Sequence, residues 1–287
     1  KELKRRIASV KSSQQITKAM KMVAAARLRR SQEAVTRARP FAGAIRQMVQ
    51  NLIHNEEIRE HHTLLTKRDV KSVNVILITS DRGLCGGFNA NLTKKAEQMY
   101  RAEAGKYTKF TFTCIGKKGY EFCKLRGLPV DEYYLDFQKT LSYAKTQAIA
   151  NDFIELYEKG EYDEIRMIYS EFRSAISQVP TALTLLPVDL VEETKESAQA
   201  PYVDFLYEPS RERILDELLP RYFKAKLFRG LLESAASENG ARMSAMDNAT
   251  KNAGEMIKKL TLAFNKIRQG GITTELLEIV SGAEALK

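Results

Sequence analysis

Apolar and small side chains recur in alternating steps of four and three along the last quarter of the chain. Between Arg221 and Gln269 one register reads Asn239, Met243, Met246, Thr250, Ala253, Ile257, Leu260, Phe264 and Ile267, with no proline after Pro220. A 3.5-residue repeat keeps one stripe of a helix facing one partner, so the pattern predicts a coiled-coil helix. Its 49 residues would extend about 70–75 Å, further than a compact domain of this size is wide. The N-terminal segment has the same habit. Leu3, Ile7 and Val10 step by four and three, and Ile16, Ala19, Met20, Val23, Ala24 and Leu28 read as the continuation of the stripe. The spacing resumes beyond Pro40 at Ile45, Met48, Val49, Leu52 and Ile53. Pro40 is therefore expected to kink the helix locally without ending it. Two long helices with narrow seams, one from each end of the sequence, are natural partners. They run antiparallel if the ends of the chain between them lie close.

The middle of the chain changes period. Val73–Ser80 is a β-branched strand, followed by the loop DRGLCGGFN and a helical run from Leu92 to Ala104. Tyr107–Ile115 is a second strand, Gly116–Gly119 a turn, Tyr120–Leu125 a short helix and Pro129–Phe137 a weaker strand. Leu141–Lys159 is an amphipathic helix and Ile165–Phe172 a further strand. Thr181–Leu186 and Tyr202–Tyr207 add strands around an acidic loop at Glu192–Gln199, and Pro209 and Pro220 bracket the return into the long helix. This rhythm predicts a parallel, doubly wound sheet. The expected fold class is α/β: a long antiparallel coiled coil of terminal helices (1–58 and 210–287) plus a doubly wound domain (70–208).

Charge adds a partner. Residues 1–39 carry twelve Lys and Arg against Glu2 and Glu33, which equals the net +10 of the whole chain. All the excess sits on one predicted helix, and such a stripe seeks nucleic acid, anionic lipid or acidic protein loops. No apolar run approaches a membrane span, and no signal peptide opens the chain; it begins at Lys1, so a few native residues are expected to be missing. Three cysteines (Cys85, Cys114, Cys123) without CxxC spacing fit a reducing compartment better than a disulfide framework or a zinc site. His54, His61 and His62 lack the surrounding carboxylates or cysteines of a metal site. The loop Ser80–Asn89 follows a strand and opens a helix, as phosphate cradles do. Yet it is neither GxGxxG nor GxxxxGK[ST], so a tight structural turn is the preferred reading. Cys85 has no neighbouring histidine to activate it, and no catalytic constellation, cofactor site or metal site is found.

Three stretches carry a resemblance. Ile16–Ala26 (ITKAMKMVAAA), Ser80–Asn89 (SDRGLCGGFN) and Glu238–Leu286 are similar to the gamma subunit of F-type ATP synthase, and the likeness extends over essentially the whole chain. The resemblance implies an antiparallel coiled-coil shaft standing in an alpha3-beta3 hexamer. It also implies a Rossmann-like domain that binds no nucleotide and docks at its foot on the epsilon subunit and the membrane c-ring. No cofactor is implied. It further implies rotor–stator coupling by Met20 with Lys18 and Lys21, by the Arg268–Gln269 pair, and by Arg242 and Thr273. Ile272, Leu276, Ile279, Val280, Ala283 and Leu286 would form an apolar bearing tip. Asp81, Arg82 and Cys85 would face the lower rim of the hexamer. The expected location is peripheral, on the cytoplasmic face of a bacterial plasma membrane.

The sequence departs from the family in places. Gly270-Gly271 replaces better helix formers, Phe264 stands where tyrosine is common, and the chloroplast cysteine insertion is missing. Two other classes stay open at this stage: a nucleotide-binding enzyme, resting on the glycine loop, and a basic coiled-coil module for nucleic acid or anionic membrane, resting on the charged segment.

Overall fold

A computed structural model describes residues 2–53, 62–137, 141–188, 208 and 210–285. Two helices dominate: α1 (Glu2–Ile53) with 52 residues and α5 (Arg211–Ala285) with 75. Between them lie β1 (Ser72–Ile78), α2 (Phe88–Glu103), β2 (Lys109–Ile115), α3 (Lys117–Arg126), β3 (Val130–Tyr134), α4 (Tyr143–Glu158), β4 (Glu164–Phe172) and β5 (Gln178–Leu186).

The two long helices run antiparallel along one seam. On α1 the sheltered positions step by four and three without a break: Leu3, Ile7, Val10, Gln14, Thr17, Lys21, Ala24, Leu28, Ser31, Val35, Ala38, Ala42, Ile45, Val49 and Leu52. This register departs from the one read off the sequence. Ile16 and Val23 are 57% and 53% exposed, while polar Gln14, Thr17 and Lys21 take the seam. They can do so because each finds a partner across it. Gln14 Nε2 donates to the Thr250 carbonyl at 3.3 Å, Thr250 Oγ1 donates to Thr17 Oγ1 at 2.8 Å, and Lys21 Nζ lies 2.6 Å from Asp247 Oδ1. Rising numbers on one helix meet falling numbers on the other. On α5 the expected register holds from Asn239 to Phe264, but Ile267 is 66% exposed. The described part of α1 ends short of it, and every residue from 266 to 281 is exposed.

Both internal prolines are tolerated. Pro40 lies within α1 as expected; Pro220, expected to bracket the return into the long helix, lies inside α5, whose start at Arg211 falls within the expected 210–287 segment. A proline in a helix interior removes one backbone hydrogen bond. Here Leu215, Leu219, Tyr222 and Phe223 bury that turn in the core and hold it. Gly270 and Gly271 also stay helical.

The sheet has five strands in the order β3-β2-β1-β4-β5. β1, β2, β3 and β4 are parallel, as the rhythm predicts, but β5 returns antiparallel against β4. A five-residue connection from β4 to β5 is too short for a parallel crossover and long enough for a hairpin. The expected turn at Gly116–Gly119 is the N-cap and first turn of α3, since a Cβ on Gly116 (φ +110°) would collide with the Thr79 carbonyl. The strand expected at Tyr202–Tyr207, the acidic loop, Pro209, His54 and His61 lie outside the described residues.

β1 is buried on both faces. Val73, Val75 and Leu77 pack against Phe88, Leu92 and Ala96 of α2 and against Cys123 of α3. Ile76 and Ile78 face α4 together with the lower turns of both long helices, through Val49, Leu52, Leu219 and Phe223. The coiled coil thus shares a core with the sheet. Gly230 brings α5 onto β4 so closely that a Cβ there would come within 2.7 Å of Met167 Sδ.

Candidate functional site

The loop between β1 and α2 sits where doubly wound folds hold ligands, beyond the carboxyl ends of β1 and β4 at the point where the strand order reverses. Its internal order comes from Ser80 and Asn89. The Ser80 N–H donates to Asn89 Oδ1 at 3.0 Å, Asn89 Nδ2 donates to Ser80 Oγ at 2.7 Å, and Ser80 Oγ donates to the Arg82 carbonyl at 2.6 Å. Asp81 Oδ1 accepts the backbone N–H groups of Lys117 and Asp136, both at 3.1 Å, which joins the loop to α3 and the end of β3. Leu84 takes a left-handed φ of 63° and is exposed, a conformation that costs a leucine about 1 kcal/mol or more.

What meets this loop is α5. Arg242 Nη2 donates to the carbonyls of Arg82 and Gly83 at 3.4 and 3.3 Å and lies 2.7 Å from Glu238 Oε1. A phosphate cradle offers N–H groups to an anion; this loop offers two carbonyls to a cation. Ala241, Ser244, Ala245 and Asn248 of α5 line the rest of the crevice, leaving a cavity of about 220 Å³. That is below the 300 Å³ or so at which cofactor sites begin. Glu238 is almost fully buried, and burial pushes its carboxyl pKa up against the opposing pull of Arg242.

Of the residues expected to face a partner, some turn inward. Cys85 is buried under the loop, where Asn89 Nδ2 donates to its Sγ at 3.3 Å, and burial pushes its thiol pKa up. The loop exposes Arg82 and Leu84 together with Gly83, Gly86 and Gly87. Lys21 is committed to Asp247, whereas Lys18 is exposed and Met20 half-buried beside the seam. Arg268 and Gln269 stand exposed on the lone part of α5. Thr273 Oγ1 donates to the Gln269 carbonyl at 2.9 Å, so its proton is spent within its own helix. Ile272, Leu276, Ile279 and Val280 are exposed, while the side chains of Ala283 and Leu286 lie outside the described residues.

The structure also brings in residues that the sequence reading did not single out: Glu238, Asp247, Asn89 and Leu84. Glu238 and Arg242 are spaced i,i+4, the one available signal for that pair. Asp247 has the same i,i+4 signal toward Lys251, at 3.0 Å, but nothing in the sequence announces its contact with Lys21, 226 residues away.

Comparison with known proteins now decides the family. A family model described as ATP synthase matches residues 1–286. The ATP synthase gamma chain of Bdellovibrio bacteriovorus is 46% identical over all of this chain and 98% of its own length, and that of Geobacter sp. strain M21 is 47% identical over the same shares. The chain belongs to the gamma-chain family of ATP synthases. Among solved structures, the central stalk and c-ring assembly of Tetrahymena thermophila mitochondrial ATP synthase contains a chain that is 28% identical. It aligns with a TM-score of 0.62 over 82% of this chain and 99% of that one. A chain of the Euglena gracilis mitochondrial enzyme, at 22% identity and TM-score 0.67, shares the fold over 99% of this chain and 93% of its own. As a gamma chain, this protein is a central-stalk subunit of F-type ATP synthase. No described helix is long and apolar enough to cross a membrane, and no group of three or more His, Cys, Asp or Glu among the described residues is placed to hold a metal ion.

Proposed function

We propose that this chain is the rotating shaft that couples ion-driven turning of the c-ring to cyclic change at the catalytic sites of the beta subunits, without catalysing anything itself. The observation that carries the reading is the overhang of α5. One helix leaves the coiled coil and continues alone with Arg268, Gln269, Ile272, Leu276, Ile279 and Val280 bare to solvent. A lone helix that bares this many apolar side chains needs a sleeve, and an alpha3-beta3 hexamer supplies one. Non-directional apolar contacts let a helix turn in a sleeve without breaking specific bonds. Arg268 and Gln269 sit at its base, where a guanidinium fork suits a carboxylate on a beta-subunit loop. Lower down, Lys18 and the exposed arginines of α1 track acidic loops of the ring, with Met20 beside them. At the foot, the α/β domain (70–208) docks on the epsilon subunit and the c-ring, peripheral to the cytoplasmic face of a bacterial plasma membrane. An asymmetric shaft makes different contacts with each beta subunit, and those differences bias each site's conformational equilibrium.

The crevice geometry favours a pedestal that binds no nucleotide, since α5 occupies the place a nucleotide would take. Mixing the chain with alpha and beta subunits tests the reading. One copy should enter a sixfold ring with ATPase activity, and failure to enter refutes it. Arg268→Ala with Gln269→Ala should lower ATP synthesis in a reconstituted complex while the isolated chain stays folded. Unchanged synthesis would remove those two residues from the mechanism.

A further inference from the structure

We infer that Glu238 is a positioning residue: it aims the Arg242 guanidinium into the β1–α2 loop and so fastens the α/β domain to the shaft. Arg242 alone has a choice of acceptors, and its two loop contacts, at 3.3 and 3.4 Å, are long for hydrogen bonds. The 2.7 Å ion pair to Glu238, one turn back on the same helix, removes that choice. Both side chains are largely buried at this junction, so the pair is not free to let go into solvent. The other charges facing Glu238 come from the loop and from α1, Asp81 and Arg27 respectively. The clasp therefore lies where α1, α5 and the first loop of the sheet domain meet.

The arrangement turns a ligand crevice into a mechanical joint. In a ligand-binding doubly wound fold this loop must stay open to admit its guest. Here the guest is the Arg242 side chain of the same polypeptide, with Gly86 of the loop and Ala245 of α5 lining the small cavity beside it. Torque passing along α5 would reach the sheet domain through this joint as well as through the core beneath it. That consequence rests on the shaft reading above; the clasp itself does not.

Cys85 reports on the joint, because it is buried beneath the loop and the other two thiols, Cys114 and Cys123, are buried elsewhere in the same core. The experiment labels the full-length chain with N-ethylmaleimide and follows each cysteine by peptide mass spectrometry. Glu238→Ala should speed Cys85 labelling about tenfold, with Cys114 and Cys123 unchanged. Glu238→Gln, which keeps the shape and loses the charge, should fall between. Adding Arg242→Ala to Glu238→Ala should bring no further increase, as expected of two residues acting as one unit. Unchanged Cys85 labelling overturns the clasp, and so does equal acceleration of all three thiols, which would mean general loosening. In the reconstituted complex, Glu238→Ala should reduce proton pumping per ATP hydrolysed, and Glu238→Asp should restore part of it. Full coupling with a loosened Cys85 overturns the passage of torque through this joint, while the loosened thiol upholds the clasp. Failure of the parent chain to enter the ring would instead sink the shaft reading and leave the thiol result standing.

Discussion

Leu28→Ala and Val23→Ala, five residues apart on α1, separate the observed seam from the one legible in the sequence. Leu28 is 5% exposed and packs with Val35, Leu232 and Ala236; Val23 is 53% exposed. Truncating a buried leucine costs about 2–5 kcal/mol, the transfer term plus a cavity term set by how far neighbours relax. Around Leu28 the neighbours include Ala24 and Ala236, which have nothing to extend into the gap. The site is also only two helices deep, so its flanks admit some water. We therefore place the cost at about 2–3 kcal/mol. Truncating a half-exposed valine away from the seam should stay within about 0.5 kcal/mol. Urea unfolding followed by helical circular dichroism measures both, and hydrogen exchange along α1 locates the loss. Equal costs would mean that the seam runs through Val23. A cost below about 0.5 kcal/mol for Leu28→Ala would mean that the helices are not packed there at all.

Three further outcomes are expected. Gly230→Ala gains about 1 kcal/mol of helix propensity but puts a methyl against the end of Met167, which is 1% exposed and must repack within the core. A net loss of about 1 kcal/mol should appear in urea unfolding. Gly270→Ala with Gly271→Ala meets nothing within 4 Å and should gain about 1 kcal/mol of helix propensity per site; slower amide exchange over residues 266–281, with no change in unfolding of the sheet domain, is the readout. His62 accepts the Leu64 N–H at Nδ1 and lies 3.2 Å from Asp216 through Nε2, and burial holds its pKa below the ordinary 6.5 against the pull of Asp216 and Glu158. The folded chain thus takes up this proton less readily than the unfolded one. Stability is full above pH 6.5 and is lost as the pH falls toward and through the lower folded value. His62→Gln should flatten the urea midpoint over that window.

Much of the fold was legible because two periods rarely mimic one another. Strand cores such as VNVILI and the heptads of α5 from Asn239 to Phe264 announce themselves by side-chain chemistry alone. The misreadings occur where a partner overrides local preference. Gln14, Thr17 and Lys21 look like surface residues until Thr250 and Asp247 arrive from the far end of the chain, and Ile16 and Val23 look like seam residues for the same reason. Pro220 looks like a helix boundary until the core closes around its turn. At the candidate site the motif of the β1–α2 loop was visible, but its occupant was not. A guanidinium about 160 residues downstream leaves no trace in the loop's own sequence. Cys85 was expected at the lower rim only because the family resemblance implied it, whereas Asn89 and the turn at Leu84 fold its side chain under.

The distribution of charge and apolar surface along the shaft then follows a physical division. Of the basic residues on α1, Lys21 is drawn into the seam by Asp247 and Arg27 faces Glu238, while Lys18, Arg29 and Arg30 are exposed. Their attraction to acidic loops acts over roughly 8–10 Å at physiological salt and tolerates changes of angle. It therefore suits a surface that must meet successive partners as it turns. Beyond Arg268 and Gln269 the overhang of α5 instead exposes Ile272, Leu276, Leu277, Ile279 and Val280 alongside Glu275 and Glu278, and the attraction of those apolar side chains has no preferred azimuth. On the reading proposed above, the first region senses which beta subunit it faces and the second keeps the axis centred. Reversing charge at Arg29 and Arg30 should then alter coupling with little effect on assembly, while Leu276→Asp with Ile279→Asp should weaken retention in the ring before it alters coupling. Measuring subunit retention and pumping on both variants tests the division, and a swap of the two phenotypes would refute it.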